Sequence, residues 1–224
     1  MSTTGTPSGS RSGPDAVSTA ARVEAEIAAR LLDGRLGPGD WIRQDALATE
    51  LAVSKIPVRE ALHRLVGDGT LRTEANRGMV VPELNRSDGE EIFALRNGVE
   101  RALLAAAVGR HTIVDLAEAE HALERTDLTP TAANWAFHAA LYRPSGWHRG
   151  VRMAHALHAT VAGYVLRYVA DLGGADHSDR EHRALLACCR DGDGAEADRL
   201  LDQHLSAAAR ALSDHLETDD ALPH

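Results

Sequence analysis

Apolar positions recur at helical spacing through most of the chain. Val23, Ile27, Leu31 and Leu32 form a stripe ended by Gly34, Leu47, Ala48 and Leu51 form a second over residues 44–51, and Val58, Leu62 and Leu65 form a third. Spacings of three and four put each set on one helical face. Ala52-Val53 leaves a turn short enough to cross the second and third helices as a helix-turn-helix requires. Ser54 is placed to cap the third helix by accepting a backbone N–H bond, and Pro57 falls in a first turn that has no partner for its missing donor. Beyond Gly67-Asp68-Gly69 the period changes. Leu71-Arg72-Thr73-Glu74 and Met79-Val80-Val81 flank Ala75-Asn76-Arg77-Gly78, which predicts a hairpin with Arg77 at its tip and Trp41-Ile42 as a short strand beside it.

Residues 83–86 read as a linker, and no strand signal follows. Ser87-Asp88-Gly89-Glu90 reads as a capping box opening a helix through Phe93, Val99 and Leu103 to about Arg110. Helices are expected over residues 112–125, 130–142 and 147–172, the last ended by Gly173-Gly174. Two more begin at Ser178-Asp179-Arg180-Glu181 and at Asp193-Gly194-Ala195-Glu196, the last reaching about Leu216. The predicted fold class is mainly α: an N-terminal winged helix-turn-helix over residues 16–82 and a C-terminal all-α helical bundle over 87–217. Residues 1–15, polar and of low complexity, read as a disordered tail, and 218–224 as a second tail.

Composition supports helices, since apolar residues make up 44% of the chain but aromatics only 4%, leaving Ala and Leu to supply the packing. The net charge of −9 argues against a general affinity for nucleic acid. It is unevenly placed, with residues 16–85 at −1 and residues 86–224 at −8. Residues 54–77 carry five cations against three anions, so DNA contact is expected to be local and salt-sensitive. The chain shows no apolar run of bilayer length and no signal-peptide pattern, so a cytoplasmic location is expected, with no membrane partner. Its two cysteines, Cys188 and Cys189, are adjacent and make neither a disulfide framework nor a zinc ribbon.

Lys55 and Arg59 lie four apart near the start of the third helix, where exposed amides favour a phosphate, while the bland reading is an ordinary amphipathic helix bearing two cations. Its context decides. Gly37-Pro38-Gly39-Asp40, Leu47-Ala48, the run from Val53 through Ser54-Lys55-Ile56-Pro57-Val58-Arg59-Glu60-Ala61-Leu62 to Leu65, Gly69 and Asn76-Arg77-Gly78 together resemble the winged helix of GntR-family transcription regulators. The resemblance spans about residues 17–82. It implies DNA contact through Ser54, Lys55, Ile56 and Arg59 on the helix and Asn76, Arg77 and Gly78 on the wing. Lys55-Ile56 departs from the Arg-Thr usual in that family, and Asp45 falls where some relatives carry a DNA-contacting Arg.

Of the twelve histidines, His111, His121, His177, His215 and His224 read as helix-end or exposed residues, and His63 as solvent-facing. His155 and His158, three apart, are a weaker ligand pair. His138, His182 and His204 differ: Asn134 and His138 share a helical face, His182 follows a cap, and His204 lies among Leu200, Leu201 and Leu205, where an imidazole without a partner is costly. Three imidazoles and an amide oxygen suit a borderline divalent ion, zinc or nickel. The segments Asn134-Trp135-Ala136-Phe137-His138, Glu181-His182, Gly192-Asp193 and His204-Leu205 resemble the FCD effector domain of the FadR subfamily. That resemblance implies metal ligation by Asn134, His138, His182 and His204, with Asn134 standing where Asp is usual, and gives Arg96 a role against an organic acid. The plain alternative for Arg96 is a surface pair with Glu100, four residues on.

The expected function is therefore a DNA-binding transcription regulator and not an enzyme: a homodimeric repressor on a palindromic operator, controlled by a small carboxylate bound at the metal site. The alternatives are a metalloenzyme with an accessory DNA-binding domain, disfavoured because no general base accompanies the ligands, and a regulator that senses the metal itself.

Overall fold

The computed structural model describes residues 18–75, 77–172 and 175–220. The expected N-terminal tail, Asn76, Gly173-Gly174 and the last four residues lie outside them.

The first helix, α1 (Thr19–Leu32), is capped by Ser18 and buries Val23, Ile27, Leu31 and Leu32, the stripe read from the sequence. After β1 (Trp41–Ile42), α2 (Gln44–Glu50) and α3 (Lys55–Gly67) cross through a turn in which Ala52 takes a left-handed φ of 52°. That conformation costs a residue with a Cβ about 1 kcal/mol. It is held by the Val53 amide bonding the Ala48 carbonyl. Strands β2 (Arg72–Glu74) and β3 (Gly78–Val80) form the expected hairpin, and β1 joins the far side of β3, giving an antiparallel sheet of order β1-β3-β2.

Among the described residues six helices follow, α4 (Arg86–Ala107), α5 (Ile113–Glu124), α6 (Pro130–Tyr142), α7 (His148–Leu172), α8 (Ala175–Asp191) and α9 (Gly194–Asp220), with a 3-10 turn at Arg143–Ser145. Among the described residues no helix is long and apolar enough to cross a membrane. Phe137, Leu141, Leu103, Leu104 and Leu201 are fully buried where α4, α6 and α9 meet.

Three details differ from expectation. α4 starts at Arg86, capped by Asn85 in a box with Asp88 and not by Ser87 with Glu90. The Leu84 amide donates to the Tyr164 hydroxyl at 2.7 Å, which fixes the entry two residues earlier than local sequence implies. α8 already runs from Ala175, so Ser178 and Glu181 lie inside the helix and form no capping box at its start. α9 continues past Leu216 to Asp220.

The two halves share packing. Ala159 and Ala162 of α7 belong to the same apolar cluster as Val23, Ile27 and Leu62. Gly163 faces Pro38 so closely that a Cβ there would sit 2.9 Å from the proline ring. Thr131 and Thr129, at the start of α6, both donate to the Leu32 carbonyl at the end of α1, Thr129 at 3.1 Å.

Candidate functional site

One face of the N-terminal half of α3 stands in solvent. Ser54, Lys55, Ile56 and Arg59 are exposed, as are Arg77 and Gly78 on the wing, while Asn76 lies outside the described residues. Ser54 occupies the cap position but its side chain makes no capping bond. Of the two amides such a side chain can accept from, the second and third of the helix, the third belongs to Pro57 and has no hydrogen. Lys55 Nζ pairs with Asp45 Oδ2 at 2.9 Å across the helix-turn-helix. Both side chains are more than two-thirds exposed, so solvent screens the pair and its net worth is under about 1 kcal/mol.

Inside the bundle the structure brings together the residues singled out from α6, α8 and α9. One nitrogen from each of His138, His182 and His204 lies within 4.8 Å of the others. His138 and His182 are buried and His204 half-buried. Asn134, one turn before His138, places its amide nitrogen 3.2 Å from His182 Nε2. Rotating that amide by half a turn would offer its oxygen at the same point. His138 Nε2 is buried without a hydrogen-bond partner, an arrangement costing about 1–3 kcal/mol unless something outside the protein completes it. Burial, together with the neighbouring imidazoles, pushes His138 and His182 well below the usual histidine range, so both are neutral and offer lone pairs. These features fit a divalent cation held by nitrogen ligands.

A second layer of polar groups lies behind the cluster. Arg96 is buried, which excludes the plain surface pairing considered for it, yet Glu100 is indeed its partner, with Nε donating to Oε1 at 2.7 Å. Arg96 also donates to His158 Nε2 at 2.6 Å. Burial pushes the Glu100 carboxyl up, but Arg96 foremost, with His158, outweighs this and holds it well below the usual carboxylate range. Burial and then Arg96 bring His158 down to about 4. A neutral His158 accepting from Arg96 has no proton for Glu100 Oε2, 3.4 Å away, so the guanidinium between them holds both. The Tyr142 hydroxyl donates to Glu100 Oε2 at 2.7 Å and lies 3.1 Å from His138 Nδ1. On the far side, Glu181 Oε2 is 2.8 Å from His204 Nδ1.

Trp135 joins this centre to the N-terminal half. Its ring stacks on His155 with centroids 4.7 Å apart, tilts against His158 at 5.1 Å, and packs against both apolar clusters. α6 thus carries Asn134 and His138 in its middle and the threonine bonds to α1 at its start.

Sequence reasoning missed Glu100, Tyr142, His158 and Glu181 as parts of this centre. Signals were available for two of them: Arg96/Glu100 and His138/Tyr142 are both four apart on one helix. Glu181 was masked by a capping pattern that the fold does not use, and His158 by its pairing with His155, which faces Trp135 instead. His111, read as a helix-end or exposed residue, is half-buried and its Nε2 sits 3.0 Å from the Leu141 carbonyl, because the start of α5 folds against the end of α6.

Residues 91–207 match the FCD domain, and residues 19–81 match the description "Bacterial regulatory proteins, gntR family". The chain is 37% identical over 109 residues to the Escherichia coli regulator McbR, a match covering 49% of each protein. It is 25% identical over 191 residues to the E. coli transcriptional repressor GlaR, covering 78% of this chain and 87% of GlaR. The chain spans about half the length of McbR in the sequence match, but the solved E. coli McbR/YncC structure superposes with a TM-score of 0.77 at 25% identity, over 89% of this chain and 99% of that one. A solved structure from Rhodococcus sp. RHA1 shares the fold, with a TM-score of 0.68 at 22% identity, over 86% of this chain and 96% of that one. These relatives are transcriptional regulators by name, which sets the metalloenzyme alternative aside.

Proposed function

Because the chain belongs to the GntR family of bacterial regulatory proteins and carries that family's FCD domain, we propose that it is a DNA-binding transcriptional repressor whose operator affinity is set by a ligand at the His138 cluster. The observation that carries this reading is the convergence of three imidazoles and the Asn134 amide on one point inside the bundle, with Asn134 and His138 on α6, the helix bonded to the DNA-binding half. Asn134, His138, His182 and His204 would hold a divalent cation, zinc or nickel, which supplies a Lewis-acidic anchor for a small carboxylate. In place of the usual Asp, Asn134 brings no charge, so such a site favours an anionic partner more strongly. Two copies of the chain, in the manner of the FadR subfamily, would present two α3 helices to successive major grooves of a palindromic operator. On each, Ser54, Lys55, Ile56 and Arg59 face the groove, with Asn76, Arg77 and Gly78 at the adjacent backbone. A ligand that shifts α6 pulls on Leu32 through Thr129 and Thr131, and so changes the pose of α1 and α3. It acts only to the extent that it binds the two poses with different affinity.

One observation favours a second reading. Arg96 is already bonded to Glu100 and His158, so an organic acid must displace a buried ion pair to reach it. A regulator answering to the metal alone avoids that step.

The test is operator binding by fluorescence anisotropy, on a DNA fragment from upstream of the gene, with His138→Ala. The variant is expected to lose its response to zinc and to added small carboxylates while binding the fragment within about twofold of wild type. Loss of DNA binding as well would assign His138 to folding. A wild-type response to zinc with no further response to carboxylates selects the second reading.

A further inference from the structure

Resting on the metal reading above, we propose that Glu100 and Tyr142 are positioning residues for the metal centre: they hold the His138 proton on Nδ1, so that Nε2 faces the other imidazoles as a lone pair.

The direction of each bond follows from what each group can do. A guanidinium only donates, so Glu100 accepts from Arg96 Nε at 2.7 Å through Oε1. Its other oxygen, Oε2, lies 2.7 Å from the Tyr142 hydroxyl oxygen and, as a carboxylate oxygen, can only accept. Tyrosine has one hydroxyl proton, and that contact uses it. At 3.1 Å from His138 Nδ1 the same oxygen is therefore the acceptor, and Nδ1 must carry the hydrogen. A neutral imidazole has one N–H, so Nε2 is left as the lone pair. It is the nitrogen found buried with no protein partner. The opposite order would turn the tyrosine proton to Nδ1 and set two oxygen lone pairs face to face at 2.7 Å in a buried site.

A second histidine obeys the same rule independently. Glu181 Oε2 accepts from His204 Nδ1 at 2.8 Å, and with a metal ion on the ring the remaining nitrogen, Nε2, is the one left to ligate. Partners of this kind fix ring orientation, select the tautomer and raise ligand basicity, and their loss lowers metal affinity by about 10–100-fold. In this chain the effect is directed from α4: Glu100 reaches across to His138 through a side chain on the same helix as its target, four residues away. Glu100 and Tyr142 are each fully buried, so no solvent hydroxyl substitutes for the relay.

The test uses the full chain stripped with EDTA and labelled with 15N-histidine, with zinc as the probe. Two-bond proton–nitrogen correlation spectra report the tautomer of each imidazole, and competition against a chromophoric chelator reports zinc affinity. Wild-type His138 is expected as the Nδ1–H form. Tyr142→Phe, which removes one oxygen and keeps the ring packing, is expected to populate the Nε2–H form and to weaken zinc by about 10–100-fold. Glu100→Gln provides a second route, since an amide can donate to the tyrosine oxygen and release its proton to Nδ1. Wild-type His138 protonated on Nε2 would overturn the proposal, and so would zinc affinity in Tyr142→Phe within about twofold of wild type. Wild-type protein that shows Nδ1–H yet takes up no zinc would overturn the metal reading and leave the proton order standing.

Discussion

At the outer end of α3, Lys55 and Arg59 stand in water, and Lys55 makes a solvent-screened pair with Asp45. At the centre of the bundle, Arg96 is 4% exposed and Glu100 0%, and their bonds run to other buried groups. Both regions are built from cations and carboxylates, but the surrounding dielectric gives them different uses. A solvated cation keeps its charge available to an incoming phosphate and loses little when unpaired. A buried one is fixed by its partners, so it transmits changes and tolerates none of them being removed.

The sharpest way to break this contrast is to remove the buried cation. Arg96→Met strands Glu100 as an uncompensated charge and is expected to cost about 3–5 kcal/mol of stability, read by urea denaturation. The same region should dominate the response to acid. His158 is lowered to about 4 from an ordinary 6.5, so between those values the unfolded chain binds the proton that the folded one refuses. Stability is therefore complete above about pH 6.5 and falls as pH drops toward 4, by on the order of 2–3 kcal/mol, and the depressed Glu100 carboxyl extends the loss below that. His158→Gln, which still accepts from Arg96, should make the upper part of that curve shallower in denaturation series at stepped pH, the depressed His138 and His182 supplying what slope remains.

On the solvated side the effects should be smaller and confined to DNA. Arg59→Ala is expected to weaken operator binding by about 1–3 kcal/mol, to lower the slope of log affinity against log salt by about one, and to leave unfolding unchanged. The smallest effect is expected from Asp45→Asn, under about 1 kcal/mol on folding, because the pair is exposed. It should raise operator affinity by releasing Lys55 and removing an anion from the DNA-facing surface, as a titration at two salt concentrations would show.

How legible each region was in the sequence follows the same division. The α2–α3 crossing and the hairpin are local, set by apolar spacing and by turn residues close to one another along the chain, and the structure has them where the sequence places them. The Ser54 cap bond is absent where Pro57 removes one of the two amides it could have used. In the bundle, helical period placed Asn134 and His138 on one face, and apolar neighbours marked His204 as an imidazole in need of a partner. What could not be read was which long-range partner each polar group would take. Asn85 and Ser87 offer overlapping capping boxes, and the choice falls to Tyr164, eighty residues from Leu84. Glu181 fits a cap in the sequence and a histidine in the fold. Glu100 looked like a surface partner because nothing nearby in sequence says that α6 and α7 will enclose it.

The threonine hook at the start of α6 bears on how readily such proteins can be recombined. Its acceptor is the Leu32 carbonyl, a main-chain atom, so side-chain drift on the exposed face of α1 leaves this linkage intact and its hydrogen bonds ask only for residues 129 and 131. A chimaera that grafts a foreign reader head onto this sensor should therefore keep its wiring if the new first helix ends at the same register and keeps an apolar face toward Ala159 and Ala162, provided the turn answering to Pro38 stays slim enough to sit on Gly163.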